Sequence, residues 1–272
     1  MSAVKLICKP YSNKFSTVDK LLSRLIASDK KKNIETIVIY PDDKQSAARV
    51  NIRYIKMITR ESCKSAIDEI FKKFNPAYLV IFGAQDIIPF QEINNPCEDF
   101  DTVVPSDLPY ACEAAFSKDI ASFTGPSRVV GRIPDIPASA DINYLKTIME
   151  TIINYKSVKP EKLLNYFSVT ADVWKKSTQQ TVINIFGNST RLITSPSKIV
   201  SYTKSDIKPL THFYNCHGSP DDHKYYGQKG KKYPIAQNAP DLEGKISEGT
   251  IVAAECCYGA QLFDPQNNSK KK

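Results

Sequence analysis

Two kinds of hydrophobic spacing alternate along the chain. Short continuous runs rich in β-branched residues, 35–40 (ETIVIY) and 78–83 (YLVIFG), read as buried strands. Between them, residues 62–74 put Ala66, Ile67, Ile70, Phe71 and Phe74 at the spacing of one helical face. A shorter helix is predicted over 21–27, a strand over 128–132, and a second amphipathic helix over 141–155 through Leu145, Ile148, Met149, Ile152 and Ile153. Residues 156–162, with Pro160, read as a linker. A new series then begins: a strand over 164–171, a helix over 176–186, a weak strand over 191–194, and two apolar runs around 210–217 and 250–257.

Alternation of this kind predicts an α/β fold, with mainly parallel sheets flanked by helices. Two lobes of similar size are expected, 1–157 and 158–272, and no fixed-period repeat is visible. The chain has 272 residues, 42% of them hydrophobic and 24% charged, as in ordinary globular proteins. No run of about 18 apolar residues is present, so no membrane partner is expected. The first ten residues lack a secretory pattern, which makes the cytoplasm the default expectation. Seven cysteines at irregular spacing do not form a disulfide framework. The net charge of +8 is spread over separate lysine clusters, at 30–32, 229–232 and 270–272. No aromatic residues interleave with them, so they read as solvated lysines and no nucleic-acid partner is expected.

Chemistry concentrates at two strand ends. His217 and Cys257, forty positions apart, each sit where an apolar run gives way to a small-residue turn. Adjacent parallel strands would bring both to one sheet edge, where open α/β sheets place their sites. Cys and His together supply a nucleophile and a base for acyl transfer. Strand alternation puts Glu255 and Cys257 on one side and Cys256 on the other, and it separates Cys216 from His217 in the same way. Zinc is disfavoured at Cys216, His217, His223, Cys256 and Cys257, because adjacent strand residues do not converge on one ion and no C-x-x-C spacing occurs. No cofactor is expected. His212 and His223 read as structural or surface groups, and Cys8, Cys63, Cys97 and Cys112 as small buried hydrophobes.

The block 255–259 (ECCYG) resembles the nucleophile box of the caspase-like (clan CD) cysteine peptidases, with the His217-Gly218 pair before it. The chain is more similar to the gingipain-like (C25) branch, through 78–83 with Ile88-Pro89, 106–110 (SDLPY) and 129–134 (VVGRIP) in the same order. This resemblance implies a caspase/gingipain-like fold of two αβ lobes and a cysteine endopeptidase acting on protein or peptide substrates. In its register Cys257 is the nucleophile and His217 its partner. Backbone N–H groups of Gly218 and Cys257 would form the oxyanion hole.

The resemblance also places Glu255 and, by looser alignment, Asp172 at the pocket for the P1 side chain. Two carboxylates there would favour Arg or Lys. Other readings stay open. Asp172 can instead cap the helix after its strand, Trp174 can pack between lobes, and Asp107 can pair with Arg132 across them. The family pattern continues well past the nucleophile, whereas fifteen residues follow Cys257 here and end in a polar, Lys-rich stretch from about 266. The expectation is therefore an incomplete C-terminal lobe with a missing C-terminal fragment, weak or absent activity alone, and a tendency to aggregate. A non-catalytic caspase-like module for protein recognition is the competing reading.

Overall fold

A computed structural model of the chain describes residues 2–6, 15–97, 101–137, 142–197 and 201–262. Cys8 and the Lys-rich stretch from 266 lie outside the described residues. The chain divides into two compact units, Met1–Asn154 and Tyr155–Lys272. Among the described residues no helix is long and apolar enough to cross a membrane.

In chain order, the first unit contains β1 (Ser2–Leu6), α1 (Phe15–Lys31), β2 (Glu35–Ile39), α2 (Lys44–Arg49), α3 (Arg60–Phe74), β3 (Tyr78–Phe82), β4 (Gln91–Asn94), β5 (Val103–Ser106), β6 (Val130–Ile133) and α4 (Asn143–Asn154). Its main sheet is fully parallel, in the order β2-β1-β3-β6. Period-two alternation splits the strand side chains between two cores. Ile39, Leu79 and Ile81 meet Cys63, Ile67 and Ile70 of α3. Phe82 and Val80 meet Leu21, Leu22 and Leu25 of α1 and Leu145 and Met149 of α4. Helices therefore cover both faces, as parallel sheets require.

The second unit contains α5 (Pro160–Leu163), β7 (Tyr166–Ala171), α6 (Lys175–Phe186), β8 (Leu192–Ser195), α7 (Lys204–Ile207), β9 (Thr211–Asn215), β10 (Lys224–Tyr226), β11 (Ile235–Asn238) and β12 (Ile251–Glu255). Its parallel sheet runs β12-β9-β7-β8. One face, with Tyr166 and Phe213, packs on Val182 and Phe186 of α6. The other, with Phe167, Val169, Tyr214 and Cys216, is covered by Tyr202, Ile207, Leu242 and the β10–β11 hairpin through Tyr225 and Ala236. Strand β12 lies at the sheet edge, and all five of its residues are exposed.

Several sequence expectations need correction. The first helix runs from Phe15 to Lys31 and not only over 21–27, because Val18 adds a turn to its buried face. Residues 156–162 are not simply a linker, since α5 begins at Pro160. Cys97 is exposed, unlike the buried Cys63 and Cys112. Asp107 and Arg132 do pair, through a two-pronged contact of 2.8 and 2.7 Å, but both belong to the first unit. There the Arg132 guanidinium also donates to the carbonyls of Gly83 and Ile88, which ties the end of β3 to the loop after it.

Candidate active site

Strands β9 and β12 pair in parallel, with Glu255 opposite Asn215. Two residues further on, each strand delivers a reactive side chain, His217 from β9 and Cys257 from β12. The two turns meet directly. A Cβ added at Gly218 would fall 1.6 Å from the Cys257 carbonyl oxygen, so only a residue without a side chain fits there. The turns that carry His217 and Cys257 thus meet through Gly218 at the carboxyl edge of this parallel sheet, while the His217 ring lies outside the lining of the cavity beside Cys257.

His217 leaves the sheet to form an antiparallel bridge with Tyr226, with both N–H···O distances at 2.8 Å. Its ring lies against Trp174, with centroids 4.5 Å apart, and edge-on to Tyr233 at 5.1 Å. Imidazole Nε2 is 2.8 Å from Oε1 of Gln228. Trp174 therefore packs on the imidazole of its own unit, where the sequence suggested a place between lobes.

Cys257 occupies the corner of a tight turn closed by the Gly259 N–H donating to the Cys256 carbonyl at 3.0 Å. Tyr258 takes the left-handed conformation, φ 58°, which is costly for a bulky residue. The turn leaves Cys257 exposed. Its neighbours behave differently. Cys256 packs against the core that holds Cys216, on the sheet face away from Glu255. A hydrogen bond between the two thiols, together with burial, holds Cys216 protonated well above the usual thiol range, and the same bond draws Cys256 down.

Of the two residues assigned to substrate, Asp172 follows β7, and its N–H donates to the Gln228 carbonyl at 3.1 Å, which puts it beside the His217 support. It does not cap α6, whose N-cap is Trp174. Glu255 is exposed on the open edge strand. Neither lines the cavity next to Cys257. That cavity, of about 660 Å³, is bounded by Gly218, Tyr225, Gln237, Leu242, Cys257 and Tyr258, with Asp222 and Glu243 supplying carboxylates. The Asp222 carboxyl is held below the ordinary range by a hydrogen bond from Tyr226 and by Lys224, against the opposing effect of burial. Gln237 is 4% exposed, and its buried Oε1 has no hydrogen-bond partner.

The other two histidines are placed differently from His217. His212 is fully buried, with Nε2 at 2.9 Å from the Ile207 carbonyl and 3.0 Å from that of Pro209. His223 is exposed at the cavity rim. Among the described residues, no group of three or more His, Cys, Asp or Glu side chains is placed to hold a metal ion. Gln228 and Tyr233 are contacts that sequence reasoning missed. Gln228, in the turn after Tyr226, could be flagged only as part of a cleft wall, and nothing in the sequence marked Tyr233.

Fold and site together define a mixed α/β chain that carries a histidine and an exposed cysteine at the ends of neighbouring parallel strands. No protein-family model, curated protein or solved structure matches it.

Proposed function

We propose that the second unit is a cysteine endopeptidase of the gingipain-like branch of the caspase-like clan. The observation that carries this reading is the backbone contact between Gly218 and Cys257, which joins the two catalytic turns. In the reaction, the Cys257 thiol passes its proton to His217, and the sulfur attacks the scissile carbonyl carbon. N–H groups of Gly218 and Cys257 stabilise the resulting oxyanion, each worth about 3 kcal/mol in the transition state. The imidazolium then protonates the departing amine, leaving an acyl-enzyme thioester. Water, losing its proton to His217, cleaves that thioester and restores the thiol.

A basic P1 residue is the reading that the candidate carboxylates support, with the cation Lys224 lining the same cavity and pairing with Asp222. Glu255 and Asp172 follow from the family register, while Asp222 and Glu243 line the cavity beside Cys257. Replacing each carboxylate by its amide, one at a time, identifies which sets selectivity: the responsible variant loses preference for Arg and Lys over neutral residues in a fluorogenic peptide panel. Cleavage after Asp, with none after Arg or Lys, removes the basic preference. Free thiols at every described cysteine suit a reducing, cytoplasmic setting.

The decisive experiment is labelling with a peptidyl-arginine ketone. Stoichiometric modification at Cys257, lost in Cys257→Ala along with hydrolysis, is the expected result. A second reading, a non-catalytic recognition module, draws on the open β12 edge, where Ile251 and Val252 stay exposed. Retained peptide binding without labelling or turnover would favour that module and exclude the peptidase.

A further inference from the structure

We propose that Gln228 is the positioning residue of His217: it fixes the neutral imidazole as the Nε2–H tautomer and leaves Nδ1 as the basic atom. The inference rests on the reading of His217 as the base, but its central observable does not require peptidase activity.

The direction of each hydrogen bond fixes the orientation of the Gln228 amide. Gln228 Nε2 lies 3.1 Å from the Gly230 carbonyl oxygen, which can only accept. The amide nitrogen therefore faces Gly230. The other end of the amide, Oε1, faces His217 Nε2 at 2.8 Å and can only accept. A flipped amide would set oxygen against oxygen at Gly230, so the network admits one orientation. Imidazole Nε2 must then carry a proton. In the neutral ring, the lone pair that can take the Cys257 proton is on Nδ1.

Gln228 is itself held in place. Its carbonyl accepts from the Asp172 N–H, and the adjoining Gly227 N–H donates to the Pro234 carbonyl at 2.8 Å. A Cβ at Gly227 would fall 2.2 Å from the Ser195 hydroxyl oxygen, so this turn is pressed against the end of β8. Trp174 and Tyr233 confine the imidazole through its face and edge, but ring packing does not distinguish the two nitrogens. That choice falls to Gln228. Because its amide is neutral, it orients the ring without the large stabilisation of imidazolium that a carboxylate would bring.

The test is a proton–nitrogen correlation spectrum of the full chain, in which three histidines must be assigned. In its neutral form, His217 in the wild type is expected as Nε2–H. Gln228→Glu should keep that tautomer and raise the ring's pKa, because a carboxylate replaces the amide oxygen. Gln228→Met should give a mixture of tautomers and lower kcat about tenfold with KM little changed, the loss expected for one oriented hydrogen bond. An unchanged Nε2–H tautomer in Gln228→Met, or a His217 pKa unmoved in Gln228→Glu, overturns the assignment. A shifted tautomer in a protein that cleaves no peptide keeps the Gln228 assignment and discards the peptidase reading. Should Gln228→Met fail to fold, Gln228→Glu alone decides.

Discussion

Gly218 and Cys257 meet through main-chain atoms, and that contact joins two turns separated by forty residues of sequence. Gly218 does not have a positive φ, so its glycine is required by space and not by backbone conformation. Gly218→Ala should therefore push the two turns apart. The expected cost is about 1–3 kcal/mol, in the range of overpacked sites, seen as a lower urea midpoint. Under the peptidase reading, ketone labelling of Cys257 should fall further than stability does. Wild-type stability and labelling in this variant would mean that the turns do not meet as described.

The six described cysteines should separate by alkylation rate. Cys97 and Cys257 are exposed, whereas Cys63, Cys112 and Cys216 are buried. Burial pushes the Cys63 thiol up to about 12, so it carries almost no thiolate at neutral pH. Mass mapping after a short iodoacetamide treatment should find Cys97 and Cys257 modified and Cys63 and Cys216 intact until urea is added. Cys257 should react faster than Cys97 if it is the activated nucleophile. Equal rates at those two positions would argue against activation by His217.

Much of the fold is legible in the spacing of apolar residues. Leu145 and Met149, four positions apart on α4, are both fully buried, and Ile67 and Ile70 do the same for α3. Strand β3 is a continuous apolar run, and β7 is buried along its whole length, Ser168 and Thr170 included, because helices or hairpins cover both faces of each. The antiparallel pairs β4–β5 and β10–β11 are not legible: they are three or four residues long and include Gln91, Glu92, Pro105 and Lys224. At the site, His217 and Cys257 stand out because a turn interrupts an apolar run. Gln228, Trp174 and Tyr233 gain their roles only when the turns after β7 and β10 fold onto the imidazole, a meeting that no local pattern encodes.

Acid should destabilise the second unit through His212. Burial lowers its pKa, while Nε2 donates to two backbone carbonyls and Nδ1 is buried without a partner. Below about pH 6.5 the unfolded chain binds a proton that the folded ring resists, so stability falls as pH drops through that value. Urea midpoints measured between pH 7.5 and 5 should show this slope. His212→Gln, whose amide can still donate to the same carbonyls, should flatten it at some cost in packing. An unchanged slope in the variant would assign the acid sensitivity to other groups.

The first unit contains a buried charge imbalance that makes a sharper prediction. Lys64 and the Arg128 side chain are both fully buried, and both pair with the single carboxylate of Asp68 at 2.5 Å. Lys64 also donates to the Cys112 carbonyl at 3.1 Å, and Arg128 lies over the Phe71 ring at 4.4 Å. Burial lowers the Lys64 pKa against the opposing pull of Asp68. Removing Asp68 leaves two cations face to face, and Asp68→Ala should cost about 3–5 kcal/mol. Lys64→Met keeps one cation on one anion and should cost much less, limited mainly by the carbonyl it abandons at Cys112. In Asp68→Ala the depression of Lys64 deepens, so the folded state binds fewer protons than the unfolded one and stability should rise with pH. Urea titrations of both variants at pH 6 and 9 test the ordering and the slope. Equal losses in the two variants, or a pH-independent Asp68→Ala, would show that this cluster is already relieved by solvent or a counter-ion.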